Sequence, residues 1–303
     1  MSADQAVVIA TRNRTDDLER TLHSMESQRG ADERRVFLVD GSDDGLATER
    51  TRAVLAKSPL PTEYLRYTGV PSAARQRNYG LERLPSSVRH VFFLDDDIAL
   101  HSDCLFLMSK TLNEHPGIDG VGAIEHAPSQ TATPSKSALW RYAFLLDHPE
   151  PGRVLPSGHV SLYNSIPEER GITPVEWLST CCCVYRHDAI RTMRFATNLG
   201  RALYEDRDFA YRVAQSGTLA IVPTAHYTHH FSPVNRNAVA RHIRDSICVR
   251  YRFVQQRIRH PLRVPAFWWA TFGKLVALAT STKPSKYEAL RGHLQGIMAV
   301  LRE

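Results

Sequence analysis

The chain predicts an α/β fold built on a mostly parallel sheet. Two patterns point there: short apolar runs alternate with helix-like stretches, and the strand-like runs end in charged and hydroxyl residues. With 303 residues, 43% of them hydrophobic, the chain can bury a full core as one large domain or as one domain with an appendage.

AVVIA (6–10) reads as the first strand and DDLERTLHSMESQ (16–28) as a helix with acids in its first turn. VFLVD (36–40) is the second strand, followed by the turn GSDDG and a helix over 46–57. YLRYT (64–68) gives the third strand, PSAARQRNYGLERL (71–84) a helix, and VFFLD (91–95) a fully buried strand. In such sheets ligands gather outside the carboxyl ends of the strands. TRNR follows the first strand, DGSDD ends the second, and Asp95, Asp96 and Asp97 end the one at 91, so all three groups meet at one rim. Adjacent like charges repel and lose hydration when enclosed, so a positive partner is required there.

Residues 126–175 carry prolines at 128, 134, 149, 151, 156, 167 and 174 and read as long loops around the rim. VEWLSTCCCVYRHDAI (175–190) looks like a strand running into a helix, YEDRDFAYRVAQSG (204–217) a helix, and LAIVP (219–223) a short strand. Three further helices are expected over 237–260, 264–279 and 286–301. The expected division is 1–235, in halves 1–125 and 126–235, followed by a helical extension over 236–303.

The extension holds 13 Lys+Arg against 3 Asp+Glu, a balance of +10, which leaves 25 against 29, or −4, for the first 235 residues. A basic tail with VPAFWWATFGKLVALA beside it suits an anionic membrane surface, packing on the body of the protein or a homodimer contact, while the acidic body excludes a general nucleic-acid groove. No uncharged apolar run of spanning length and no basic leader ahead of an apolar segment is present, so a cytoplasmic protein is expected, peripheral to the membrane at most. The five cysteines, three contiguous at 181–183, match neither a secreted disulfide framework nor paired CxxC zinc spacing; they read as small buried residues in a reducing compartment. Along a strand they cannot all face one site.

The three aspartates suit a hard divalent cation, because Mg²⁺ and Mn²⁺ take oxygen ligands and use only one or two protein carboxylates. If the strand continues through them, Asp95 and Asp97 face one side and Asp96 the other.

Five segments in order, VVIATRNR, LVDGSDDG, ARQRNYG, FLDDDI and YEDRDF, make the chain resemble family 2 glycosyltransferases of the GT-A fold over about residues 5–235. The resemblance implies a GT-A catalytic domain whose first half binds a nucleotide and whose second half binds an acceptor. It implies that Thr11 and Asp40 hold the base and ribose of a UDP- or dTDP-sugar, with Arg12, Asn13 and Asp96 on the same rim and Arg14 toward the phosphates. One of Arg75 and Arg77 would touch the nucleotide, with Arg75 favoured. Asp95 would meet ribose or the metal shell, and Asp97 would bind Mn²⁺ or Mg²⁺ with His229, for which His226 and His230 are alternates. Asp206 would be the base of an inverting transfer and Glu205 its support. Trp177, Thr180 and Cys181 would line the pocket for a saccharide, lipid-linked or small-molecule acceptor. The basic tail inclines the resemblance toward rhamnosyltransferase-like members. A sugar nucleotidyltransferase would call for a glycine-rich loop after the first strand, which is missing, and a non-catalytic carbohydrate-binding protein of the same fold would not need both acidic motifs.

Overall fold

The computed structural model describes residues 4–126, 136–199, 204–231, 239–282 and 285–303. The first half follows the expected alternation: β1 (Gln5–Thr11), α1 (Thr15–Glu26), β2 (Arg34–Asp40), α2 (Gly45–Lys57), β3 (Thr62–Arg66), α3 (Ala73–Leu81) and β4 (His90–Asp95). Asp44 caps α2 by accepting from the Ala47 N–H at 2.8 Å, and Ser72 caps α3 through the Arg75 N–H at 3.2 Å. Residues 98–125, to which the apolar pattern alone assigns no element, form β5 (Ile98–Leu100), α4 (Cys104–Glu114) and β6 (Gly120–Glu125).

The proline-rich stretch is less irregular than expected. It contains α5 (Lys136–Ala143) and β7 (Thr173–Val175), while Pro128 and Pro134 lie outside the described residues. Then come β8 (Cys182–Arg186), the short α6 (His187–Ile190), α7 (Glu205–Ala214) and β9 (Leu219–His229). The sequence ends the last strand at Pro223, yet β9 continues six residues beyond it to His229. The reason is a register shift opposite the proline, between Gly122 and Ile124 of β6, where the ladder is already interrupted.

The sheet order is β3-β2-β1-β4-β8-β6-β9-β5, with β7 on β9. Pairing is parallel from β3 to β4; β8 enters antiparallel to both β4 and β6. Alternation along β1 sends Ala6 and Val8 into one core layer and Val7 and Ile9 into the other. The cysteines obey the same rule: Cys183 lies in the first layer, Cys182 in the second, and Cys181 precedes the strand at the rim.

α8 (Val239–Arg257), α9 (Arg263–Ala279) and α10 (Lys286–Val300) complete the chain; the expected boundary at 235/236 falls outside the described residues. Phe253, Val254 and Ile247 of α8 form a third core with Leu199, Tyr204, Phe267 and Val300. Buried Arg250 donates to the Ser157 carbonyl at 3.0 Å and to Thr271 Oγ1 at 2.6 Å. Among the described residues no helix is long and apolar enough to cross a membrane.

Candidate functional site

Sheet register gathers the polar residues at one edge. Thr11 lies opposite Asp40, Ala10 opposite Asp95, and Leu94 opposite Cys182. Because β8 runs antiparallel, its start meets the end of β4, and the Asp95 N–H donates to the Cys181 carbonyl at 3.2 Å.

The loop after β1 is fastened to the loop after β2. Arg12 makes a two-pronged pair with Asp43, at 2.8 and 3.0 Å from Nη2, and Asn13, at a left-handed φ of 56°, donates to the same carboxylate at 2.7 Å. Arg12 and Asn13 thus shape the rim. Asp40 is fully buried: Oδ1 accepts from the Ser42 N–H at 2.8 Å and Oδ2 from the Tyr64 hydroxyl at 2.9 Å. This is the arrangement of a turn acid, with each oxygen accepting one hydrogen bond.

The strand does not continue through the three aspartates: β4 ends at Asp95 and residues 96–97 form a turn, so the expected pairing of Asp95 and Asp97 on one side gives way to Asp96 and Asp97 sharing Arg14. Asp96 turns inward, accepting from Thr11 Oγ1 at 2.7 Å and Arg14 Nη1 at 3.0 Å. Burial pushes its carboxyl up to about 7, and the nearby Asp97 charge adds to this against Arg14 and Thr11. Asp97 Oδ1 meets His229 Nε2 at 3.0 Å, while Oδ2 lies 3.4 Å from Arg14 Nη1. Burial works against charge on His229, but Asp97 outweighs it and raises the imidazole above its ordinary value. Of the other two histidines, His226 pairs with Glu168 at 3.0 Å and His230 is exposed, so His229 is the one at the aspartates.

Asp95 receives Arg77 Nη2 at 2.6 Å, and Arg77 Nη1 lies 3.5 Å from Glu205 Oε1. Of the two arginines, of which the resemblance favours Arg75 as the nucleotide contact, Arg75 is exposed and Arg77 is buried between two carboxylates. The reason is helical phase, which turns residues two apart to different faces.

Glu205 and Asp206 open α7, where acids are favoured by the helix dipole. The preceding Tyr204 has a φ of 68°, an uncommon left-handed conformation for a bulky residue, with its ring 5.8 Å from that of Phe253 on α8. Asp206 Oδ1 accepts from the Arg207 N–H at 2.7 Å. Burial first, then Asp206, raise the Glu205 carboxyl, and Arg77 opposes them. A cavity of about 290 Å³ brings Glu205 and Asp206 together with Arg77, Asp95, Thr180 and Cys181.

Trp177 does not join them. Only 5% exposed, it donates from Nε1 to the Ser161 carbonyl at 3.0 Å and packs on Tyr163, so it is a core residue and offers no open face for a sugar ring. In its place the cavity takes Arg207 from α7 and His242 and Ser246 from α8. Sequence reasoning missed these two α8 residues; the single available signal was the polar i, i+4 spacing of His242 and Ser246 on an otherwise basic helix.

The donor set can be tested against a divalent ion. One ligand atom each from Asp95, Cys181 and His229 lies within 4.8 Å of the others, and Asp97 touches His229. Carboxylates fit Mg²⁺ or Mn²⁺, and imidazole is a common metal ligand. Burial, reinforced by Asp95, holds the Cys181 thiol far above its usual range, and Sγ donates to Asp95 Oδ2 at 3.0 Å. The thiol is therefore a neutral neighbour to the oxygen donors.

Residues 6–192 match the family model for glycosyl transferase family 2, well over half of the chain, and the chain belongs to that family. No curated protein sequence matches it. Among solved structures, the chain is similar to the mannosyltransferase PcManGT from Pyrobaculum calidifontis in complex with GDP-Man and Mn²⁺, with 14% identity, TM-score 0.59, and 99% of this chain and 86% of that one covered. It is also similar to S. aureus TarS, with 16% identity, TM-score 0.55 and 97% of this chain covered; it spans about half of TarS, 49%. GalNAc-T7 with UDP, GalNAc and Mn²⁺ shares 12% identity at TM-score 0.59, over 90% of this chain and 54% of that one. At these identities the likeness is one of fold, the GT-A glycosyltransferase fold.

Proposed function

We propose that the protein is an inverting, metal-dependent glycosyltransferase that moves a sugar from a nucleoside-diphosphate donor to an acceptor hydroxyl. The observation that carries the reading is the shared cavity, in which the acids opening α7 face Asp95 and Arg77 from the strand rim. Structures similar in fold were determined with GDP-Man and Mn²⁺, with UDP, GalNAc and Mn²⁺, and with UDP-GlcNAc, which supports a UDP- or GDP-linked donor; a dTDP-linked one rests on the family resemblance alone.

In this reading Thr11, Arg14 and the rim around Asp40 receive the nucleotide, and Asp95, Asp97 and His229 would hold Mn²⁺ or Mg²⁺. When bound, that ion offsets negative charge growing on the departing diphosphate. Asp206 takes the proton of the acceptor hydroxyl as its oxygen forms a bond to the anomeric carbon, while the bond from that carbon to the diphosphate breaks on the opposite face. The proton ends on the Asp206 carboxylate and the electron pair on the nucleoside diphosphate. Arg77, fixed between Asp95 and Glu205, keeps the two carboxylate groups apart in charge and in place. Residues 1–125 serve the donor, 126–235 the acceptor, and α8 closes the acceptor side with His242 and Ser246.

The test is incubation with a panel of UDP-, dTDP- and GDP-sugars and Mn²⁺, reading nucleoside diphosphate. Release by the wild-type protein, lowered by about 10²–10⁴ in Asp206→Asn with donor affinity kept, is expected. Pyrophosphate in place of nucleoside diphosphate, no release from any donor, or full turnover by Asp206→Asn would overturn it.

A further inference from the structure

A second cavity, of about 500 Å³, shares a wall with the first. Arg207, the residue after Asp206, lines both. Around the second stand Trp140, Arg141, His159, Leu162 and Lys274, drawn from α5, the loop after it and α9. Among the described residues that line it, three side chains carry permanent positive charge and none is a carboxylate. Arg141 has a partner in Asp147 at 3.0 Å, outside the cavity lining.

The His159 imidazole supplies an independent sign. Its Nε2 is buried and has no hydrogen-bond partner among the described residues. An unmet buried polar atom costs about 1–3 kcal/mol, so such atoms are uncommon unless a ligand or water completes them. Burial, followed by the charges of Arg250, Arg207, Lys274 and Arg141, holds this histidine neutral, far below its ordinary value. Converging cations around a neutral donor or acceptor make a receptor for an oxyanion: guanidinium groups bind phosphate or carboxylate through paired N–H groups, and an ammonium adds a point charge. The indole of Trp140 and the half-exposed Leu162 give the cavity an apolar side suited to the body of the same ligand.

We propose that this cavity binds an acidic group, phosphate or carboxylate, borne by the acceptor, and that doing so presents the acceptor hydroxyl to Asp206. The inference rests on the transferase reading above and adds the chemical class of acceptor. Arg207 joins the two cavities: one turn position on from Asp206, its guanidinium lies 4.5 Å from the Tyr204 ring centroid and 5.4 Å from that of Trp177, a fixed post between base and anion.

Phenyl phosphate is the probe, with benzoate as the carboxylate arm and benzyl alcohol as the neutral control, each titrated calorimetrically into the full-length protein at one low ionic strength. Phenyl phosphate or benzoate, or both, is expected to bind with benzyl alcohol silent, and affinity should fall about tenfold or more in Lys274→Gln. Lys274 is exposed on α9, so this variant leaves the core intact. Binding should persist when UDP, dTDP and GDP are present in excess with Mn²⁺. Equal binding of benzyl alcohol, unchanged affinity in Lys274→Gln, or displacement by the nucleotides would overturn the proposal, the last by moving the anion to the donor rim. Release of nucleoside diphosphate from sugar donors by the wild-type protein without acceptor is read separately. It can succeed while anion binding fails, so the two readings fall independently.

Discussion

Arg77 offers a measurable consequence of packing acids against a buried cation. In Arg77→Met the side chain keeps much of its length but leaves Asp95, 26% exposed, and Glu205, 15% exposed, without the guanidinium now 2.6 and 3.5 Å away. Breaking a buried pair from one side costs about 3–5 kcal/mol; the partial exposure of Asp95 argues for the low end, about 3 kcal/mol. The penalty has a sign in pH. The Glu205 carboxyl already lies above its ordinary value, through burial and Asp206, and losing Arg77 raises it further. A folded-state acid with a raised pKa binds protons more readily than the unfolded chain does, so it destabilises the fold at pH above its folded value. That loss fades as pH falls toward the unfolded value. Urea unfolding of wild type and variant with EDTA should therefore show a difference of about 3 kcal/mol near pH 7.5 that shrinks clearly near pH 5. A difference below about 1 kcal/mol at neutral pH, or one that does not respond to acid, would show that Arg77 does not hold these carboxylates.

Asp97→Ala should weaken Mn²⁺-dependent nucleotide binding by about tenfold or more while leaving metal-free binding little changed, as titration calorimetry can check. In the metal-free protein the His229–Asp97 contact raises the imidazole, so its stabilisation is present below the unfolded histidine value of about 6.5 and lost as pH rises through the folded one. His229→Gln should flatten that part of the stability–pH curve; an unaltered curve would separate the two residues. Trp177→Phe loses the indole hydrogen bond to Ser161, so stability should drop by about 1 kcal/mol or more with acceptor KM unchanged. A large rise in KM would return the indole to the acceptor site.

The parts of the fold that were legible are those in which local pattern and tertiary role coincide. β1, β2 and β4 are apolar runs that end in polar residues, and parallel pairing brings those ends into one row. YEDRDF could be placed because acids that suit a helix start also reach the rim. Where a partner distant in sequence decides, local pattern failed. β9 runs past Pro223 because β6 shifts register beside it. Arg75 and Arg77 are equivalent on paper, and only the docking of α3 on β1 and β2 determines which is buried. Trp177 carries the same letter whether it faces a sugar or a carbonyl, and Ser161 makes it the latter.

On the proposed mechanism, the division of labour along the chain follows from where Asp206 is anchored. The family match covers 6–192 and so takes in the strand rim of Thr11, Asp40 and Asp95–Asp97, whereas Asp206 and its helix lie beyond, packed on that region through Phe209 against Phe93 and Tyr185. α7 is held from the C-terminal side: Tyr204 packs on Phe253 at its start, and buried Asp208 is clasped by Arg212 of the same helix and Arg257 of α8. α8 also lends His242 and Ser246 to the cavity in which Asp206 sits, and α9 lends Lys274 to the neighbouring one. The basic tail, for which the sequence leaves a membrane surface, packing on the body and a dimer contact open, thus supplies wall residues to both cavities on this face. On the proposed mechanism, changes in α8 and α9 retune which hydroxyl reaches Asp206 while the strand rim stays fixed, because those helices line the two cavities without contributing a strand to the sheet.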